Sequence, residues 1–472
     1  MQDKFRIKLG FLSTRRNVFD PKEAGKYKTS IESHIRNNYP DVEMVTLDAL
    51  NSEGLIFDVV DAPAAAAIMT QAGVDAVFAP HCNFGTEDAV AKAGKLIGKP
   101  LLLWGPRDEG PDENGFRKRD SQCGLFATSK ALLRYGVPFS YITNSHVDSD
   151  SFRRGFEDFL AVASVIKNFQ HLRIGQIGPR PAPFLSTSVN EPELLEKFGV
   201  EVVPTTLVEI LKSAEDLMAK PDPEYTETLA RLNQNFRDIT DCSGSFEKTA
   251  GLKTAIRRWA AERHLDAIGI QCWRALQAAF GHYPCFVNGL LTDEGLPAAC
   301  ETDITGALSL LLLRAARRGA APFLADLTIR HPTDDNVELL WHCGNFPPSL
   351  SKGANTVSRQ IRNPFGCAGR WEVKGGDVTV AKMDGLAGRY QLLMGQAVGV
   401  EGPESAGTYL WARFDNWPKW ERHFIYGPYI HHLGVVHGKC AHILYEACRY
   451  IPGLEPDPVY PTREMLEEMF IY

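Results

Sequence analysis

The sequence predicts an α/β protein with two doubly wound parallel-sheet domains followed by a β-rich, barrel-like C-terminal domain. Three observations carry that prediction. Short apolar runs alternate with helix-length segments, the mark of a parallel sheet covered by helices. The alternation restarts near residue 172, and beyond residue 345 glycine, proline and period-two patterning replace it. A chain of 472 residues, 44% hydrophobic and 23% charged, exceeds one ordinary core and suggests two or three domains. The boundaries fall at 1–165, 166–345 and 346–472.

In the first domain Arg6–Leu12 opens as a strand and Val42–Leu47 is a second. Pro63 suits the first turn of a helix over Ala64–Gln71, and the strand Ala76–Pro80 follows. A helix over Thr86–Ile97 leads to the strand Pro100–Trp104. The second domain opens with the strand Leu172–Gly178, which runs into a Gly/Pro-rich loop to Pro183. Glu191–Phe198 reads as a helix, Val200–Val203 as a strand, and 222–238 and 246–264 as longer helices before the strand Leu265–Gln271. Ala307–Arg318 is a helix between two apolar runs, 297–301 and 321–326, and Val337–His342 is the last strand of this domain. Alternating segments such as Asp377–Met383 and Gly407–Phe414 supply the β-rich third domain.

The 51 basic and 58 acidic side chains give a net charge of −7, without the basic stripe of a nucleic-acid binder. The N-terminus lacks the apolar core of a signal peptide, and Leu308–Leu313 is too short to span a bilayer. Ten cysteines without a CxxC pair argue against a zinc ribbon and a disulfide scaffold. Cys82, Cys300 and Cys343 read as buried reduced thiols. A cytoplasmic protein is expected.

The segment around Glu301 and Asp326 carries the chemistry. Each acid ends an apolar run, so a β-α-β unit places both at the C-terminal edge of a parallel sheet, where ligands bind. Two converging carboxylates suit a divalent metal or acid-base work. Gln271 and His342 end neighbouring strand-like runs and join the expected site, while Asp303 reads as a helix cap. The C-terminal segment Gly427–Gly438 adds His431 and His432. Adjacent histidines on a strand point to opposite faces, so one of them should reach a given site. Glu, Asp and one His make a mixed O/N ligand set suited to Mn²⁺, Fe²⁺ or Co²⁺. Such a metal holds two vicinal sugar oxygens while the carboxylates move a proton. His81, in the loop Pro80–Gly85, is a further candidate from the first domain.

The run Glu301-Thr-Asp303-Ile-Thr-Gly306, Asp326 some 25 residues on and the late His-containing segment resemble the L-fucose isomerase and L-arabinose isomerase superfamily. Softer likenesses lie at Lys99–Trp104 and Gly124–Thr128. The resemblance covers most of the chain and implies a metal-dependent aldose-ketose isomerase, using Mn²⁺ or another divalent transition metal. It implies Glu301 and Asp326 as metal ligands and proton carriers through an enediol, with His432 as the ligand histidine and His431 as the fallback. Gln271, His342 and His81 are the expected substrate contacts, and His342 also resembles a ligand histidine of the arabinose isomerases. A homo-oligomer, trimer or hexamer, acting on a small sugar is implied. The sugar is L-fucose- or D-arabinose-like, or a modified one. An epimerase or dehydratase on the same scaffold, or a non-catalytic sugar-binding protein, are the alternatives.

Overall fold

The computed structural model describes residues 2–240, 242, 244–359 and 366–470. It divides into two compact units, residues 1–167 with 464–472, and residues 168–463.

The first unit is built on β1 (Ile7–Phe11), β2 (Val42–Val45), β3 (Ala76–Pro80), β4 (Leu101–Trp104) and β5 (Phe139–Tyr141). They form a five-stranded, wholly parallel sheet in the order β2-β1-β3-β4-β5. β3 and β4 are buried along their whole length, as their unbroken apolar sequences require when helices cover both faces. One face packs with Leu12, Met69, Val90 and Leu132, the other with Ile31, Phe78, Trp104 and Phe156.

The second unit contains β6 (Arg173–Ile177), β7 (Glu201–Thr205), β8 (Arg237–Asp238), β9 (Ala267–Ile270) and β10 (Ala298–Ala299). Its remaining strands are β11 (Phe323–His331), β12 (Asp334–His342), β13 (Thr356–Arg359), β14 (Cys367–Glu372) and β15 (Gly376–Leu386), then β16 (Arg389–Val400), β17 (Thr408–Phe414), β18 (His432–His437) and β19 (Leu454–Pro458). A four-stranded parallel sheet runs β10-β9-β6-β7. A larger sheet follows the order β16-β15-β18-β11-β12-β17, and β17 pairs back onto β16. Every pairing in that ring is antiparallel. The ring is a closed six-stranded barrel, which leaves those strands no bare edge.

This topology corrects one reading of the sequence. β11 and β12 belong to the barrel, so the segment from β10 to β11 crosses from the parallel sheet into an antiparallel one. Asp326 therefore stands inside β11 and not at the end of a parallel strand. Trp417–Tyr426 and Ala441–Cys448, within the region read as β-rich, are helices. Cys242 and Cys367 form a disulfide; Cys82 and Cys300 are buried outside any disulfide. Among the described residues no helix is long and apolar enough to cross a membrane.

One close approach positions the site. The helix Ile304–Ala316 lies against β15 and β18, and a Cβ at Gly434 would fall 2.8 Å from Leu313 Cδ1. The bare backbone of Gly434 lets the helix sit down on the barrel. His432, two residues earlier on the same face of β18, meets the N-terminal end of that helix.

Candidate metal and active centre

Glu301 leaves β10 in a left-handed turn. Its φ/ψ of 54°/24° and the φ of 55° at Thr302 cost a non-glycine residue roughly 1–2 kcal/mol each. The Thr187 hydroxyl donates to Glu301 O (3.4 Å) and the Thr302 hydroxyl to Pro179 O (3.3 Å), which pins the turn. Strain of this kind persists where its surroundings over-determine it, commonly at functional sites. The Glu301 carboxylate accepts from the Trp273 indole N–H (3.2 Å) and the Cys272 thiol (3.4 Å), both at Oε1. Oε2 is buried without a partner.

Barrel register supplies the next two groups. Asp326 on β11 stands directly opposite His432 on β18, and directly opposed residues share a face. His432 Nε2 lies 3.4 Å from Glu301 Oε2 and 3.5 Å from Asp326 Oδ1. His342, the last residue of β12, brings its Nε2 to 3.9 Å from each of the same two oxygens. Asp326 Oδ1 and His342 Nε2 are also buried without hydrogen-bond partners. Two orphaned carboxylate oxygens thus lie near both His432 Nε2 and the orphaned His342 Nε2.

His432 is oriented from behind. Its Nδ1 donates to Asp303 Oδ2 at 2.9 Å, which in the neutral ring leaves the Nε2 lone pair facing the carboxylates. Asp303 is the helix cap expected from the sequence, its Oδ1 accepting from Gly306 N–H (2.8 Å) and the Thr305 hydroxyl (3.0 Å). It does more than cap, because Lys382 on β15 donates to its Oδ2 at 2.6 Å with both side chains fully buried. A carboxylate held by a ligand histidine and fixed in turn is the usual outer support of a metal centre. His431 precedes the first residue of β18, so strand alternation does not turn it away. It stays half-exposed with Nε2 3.9 Å from Asp326 Oδ1.

Burial raises the Glu301 carboxyl to about 7, with the neighbouring Cys300 reinforcing it. Burial pushes Asp303 the same way, yet the Lys382 ammonium and His432 outweigh it and hold the carboxyl well below the ordinary range. Burial disfavours the charged form of His432, and Asp303 reverses that and raises its proton affinity. The same contest at His342 is won by Cys300 and Asp326, which raise it against burial. These directions describe a pocket of crowded negative charge, which a cation relieves.

A thiol cluster that the sequence reading left as plain buried cysteines backs the centre. The side-chain amides of Asn288 and Asn345 donate to Cys300 Sγ at 3.1 and 3.6 Å. The neighbouring Cys272 and Cys285 thiols hold the Cys300 thiol well below its ordinary value. Lys382 and Trp273 went unread as site residues. Lys382 had one legible signal, a lysine inside the apolar strand run Val378–Met383.

Gln271 follows β9 at the parallel-sheet edge, two residues before Trp273. Its backbone N–H donates to Ile177 O at 2.9 Å, and a Cβ at Gly178 would lie 2.7 Å from its Oε1. His81 belongs to the first unit, just after β3 at the β1/β3 switch of strand order where open sheets bind ligands. It is wholly buried, its Nδ1 is 2.7 Å from Phe84 O and its Nε2 has no partner. Burial lowers it to about 4, so the ring is neutral.

The Asp303–Lys382 pair generates a stability prediction. Lys382→Met strands a buried carboxylate and should cost about 3–5 kcal/mol in urea unfolding near neutral pH, whereas the double variant Asp303→Asn/Lys382→Met should recover most of that loss. In the wild type the depressed Asp303 contributes stability above its unfolded value of about 4 and loses it only as pH falls through the lower folded value. Equal stability of Lys382→Met and wild type would remove the pair from this account.

Residues 10–170 match the family described as Fucose/sulfoquinovose isomerase, N-terminal domain. The sulfoquinovose isomerase of Priestia aryabhattai is 26% identical over 334 residues, covering 70% of this chain and 73% of the relative. That of Alkalicoccus urumqiensis is 25% identical over 333 residues, with the same coverage. A third, from Clostridium sp. (strain MSTE9), is 24% identical over 256 residues, 54% of this chain and 56% of the relative. The N-terminal match and these alignments support placing the chain in the L-fucose isomerase-like superfamily, among isomerases.

Proposed function

We propose that this isomerase interconverts an aldose and its ketose through an enediol, at a divalent cation held by Glu301, Asp326 and His432. One observation carries the reading: Glu301 Oε2 and Asp326 Oδ1 are buried and partnerless near both His432 Nε2 and the partnerless His342 Nε2. Two carboxylates and an imidazole lone pair fit a hard-to-borderline divalent ion, Mn²⁺ among them. When bound, such an ion polarises the carbonyl and its neighbouring hydroxyl and neutralises the oxyanion of the enediol.

The chain's own residues do the rest. One of the two acids, Glu301 or Asp326, takes the proton from C2 and a proton is returned to C1 by the pair, so the sugar is oxidised at C2 and reduced at C1 with no outside reductant. Trp273, about half exposed and packed on Phe184 with ring centroids 5.6 Å apart, offers an apolar wall to the sugar. Gln271 and His342 are assigned to hydroxyl and carbonyl oxygens.

The substrate is a small sugar, and the names of the relatives put sulfoquinovose beside L-fucose and the arabinoses in the test panel. A homo-oligomer, trimer or hexamer, follows from the family resemblance as part of this proposal, and a cytoplasmic location from the cysteines that stand outside the disulfide.

Proton NMR of sugar recovered after incubation with Mn²⁺ in D₂O should show a ketose carrying deuterium at C1. Glu301→Gln should lower turnover at least about 10³-fold with the fold intact, in the range typical of a lost acid-base group. Deuterium at C2 with inversion there and no ketose would instead identify an epimerase.

Cation removal gives an independent check. Chelation should abolish turnover and Mn²⁺ should restore it. Glu301 at about 7 in the cation-free protein must lose its proton to ligate, and His432, whose proton affinity Asp303 raises, must be neutral at Nε2, so Mn²⁺ affinity should rise with pH through about 7. Affinity that ignores pH across this window would exclude Glu301 as a ligand.

A further inference from the structure

The two buried histidines at the centre are fixed in opposite senses by their outer nitrogens. His432 gives its Nδ1–H to Asp303, so its neutral ring has a lone pair at Nε2. His342 does the reverse, since its Nδ1 accepts the backbone N–H of Cys343 at 2.8 Å. A neutral imidazole has one in-plane lone pair, and here it is used at Nδ1, so the proton sits on Nε2. Nε2 therefore points a proton, and no lone pair, at the space between Glu301 and Asp326.

We propose that His342 is the N–H donor of this centre and not one of its metal ligands. The inference rests on the isomerase reading above for its catalytic half and on geometry alone for its ligand half. Nε2 stands 3.9 Å from Glu301 Oε2 and from Asp326 Oδ1, beyond hydrogen-bond length to both. It is 1% exposed and partnerless, a costly state for a buried donor unless a partner arrives with the substrate. The partner that fits is the substrate oxygen on which charge develops. As a carboxylate takes the C2 proton, the C2 electron pair moves toward C1 and negative charge builds on O1. The Nε2–H donates a hydrogen bond there and keeps its own proton, and O1 becomes a hydroxyl by taking the proton that O2 gives up as the C2 carbonyl forms. Neutral imidazole serves as an electrophile of this kind in other enolising enzymes. Trp341 stacks nearly parallel to the His342 ring, at 9° and 6.3 Å between centroids, and the Cys343 N–H fixes its rotation.

The test compares cation-free wild type, His342→Gln, His342→Ala and His432→Gln, with Mn²⁺ alone as the probe and free Mn²⁺ read by electron paramagnetic resonance. Glutamine returns an N–H near the place of Nε2. Both His342 variants should bind Mn²⁺ within about threefold of wild type, and His432→Gln should lose about 100-fold or more. Circular dichroism and melting curves establish that each variant is folded. On a turned-over sugar, His342→Ala should lower kcat about 10²–10³-fold with KM little changed, as for one lost oxyanion donor, and His342→Gln should recover at least about tenfold of that. Loss of Mn²⁺ by His342→Ala equal to that of His432→Gln would overturn the inference, as would an unchanged kcat in folded His342→Ala. Should wild type turn over none of the sugars, the isomerase reading fails there, while the Mn²⁺ comparison still decides the ligand assignment.

Discussion

The carboxylate of Asp303 is the joint on which the second unit's chemistry depends. One oxygen caps the helix Ile304–Ala316 through Gly306 N–H, and the other accepts from Lys382 and from His432. Three elements distant in sequence are thereby locked together: the strained turn that carries Glu301, the strand β15 and the strand β18. The fully buried Lys382 ammonium makes the arrangement tolerable, because a lone carboxylate at this depth would bind a proton instead. With Asp303 ionised, His432 is held in the tautomer that aims a lone pair at Glu301 and Asp326. Helix capping, barrel packing and the orientation of the His432 ring are thus one interaction viewed from three sides.

The barrel contributes a second constraint. A directly opposed pair in an antiparallel sheet has no freedom to face apart, so the β11–β18 register alone brings Asp326 and His432 together. Glu301 comes from outside the barrel, at the end of the parallel sheet, through a backbone conformation few residues adopt. The centre therefore straddles two sheets of unlike type within the same unit. A cation placed there would offset the burial that raises the Glu301 carboxyl to about 7.

Much of this was legible in the sequence, for identifiable reasons. The parallel sheets announced themselves through fully apolar strand runs such as Ala76–Pro80 and Leu101–Trp104, whose burial on both faces leaves no alternation to misread. Glu301 and Asp326 stand out in the sequence because acids at the margins of apolar runs are costly without a purpose. What misled was connectivity. A strand, a helix and a strand read as one β-α-β unit, yet β11 pairs antiparallel in the barrel, a long-range choice that no local pattern encodes. The barrel was recognised as β-rich, but its helix Trp417–Tyr426 was missed because its aromatic residues suit strands as well. His431 and His432 could not be separated by alternation, since His431 lies before the strand begins. The separation comes from Asp303, whose contact with His432 spans 129 residues of sequence. Lys382 was overlooked for the same reason: its partner is distant in the chain, and a lysine in a strand ordinarily faces solvent.

The most direct test of this account is anomalous diffraction at the manganese edge from crystals grown with Mn²⁺. The account predicts one strong peak within about 2.0–2.3 Å of Glu301 and Asp326 carboxylate oxygens and of His432 Nε2, with His342 Nε2 outside bonding distance. A saturating Mn²⁺ concentration that leaves no peak between those three residues, or a peak bonded elsewhere in the chain, would contradict it.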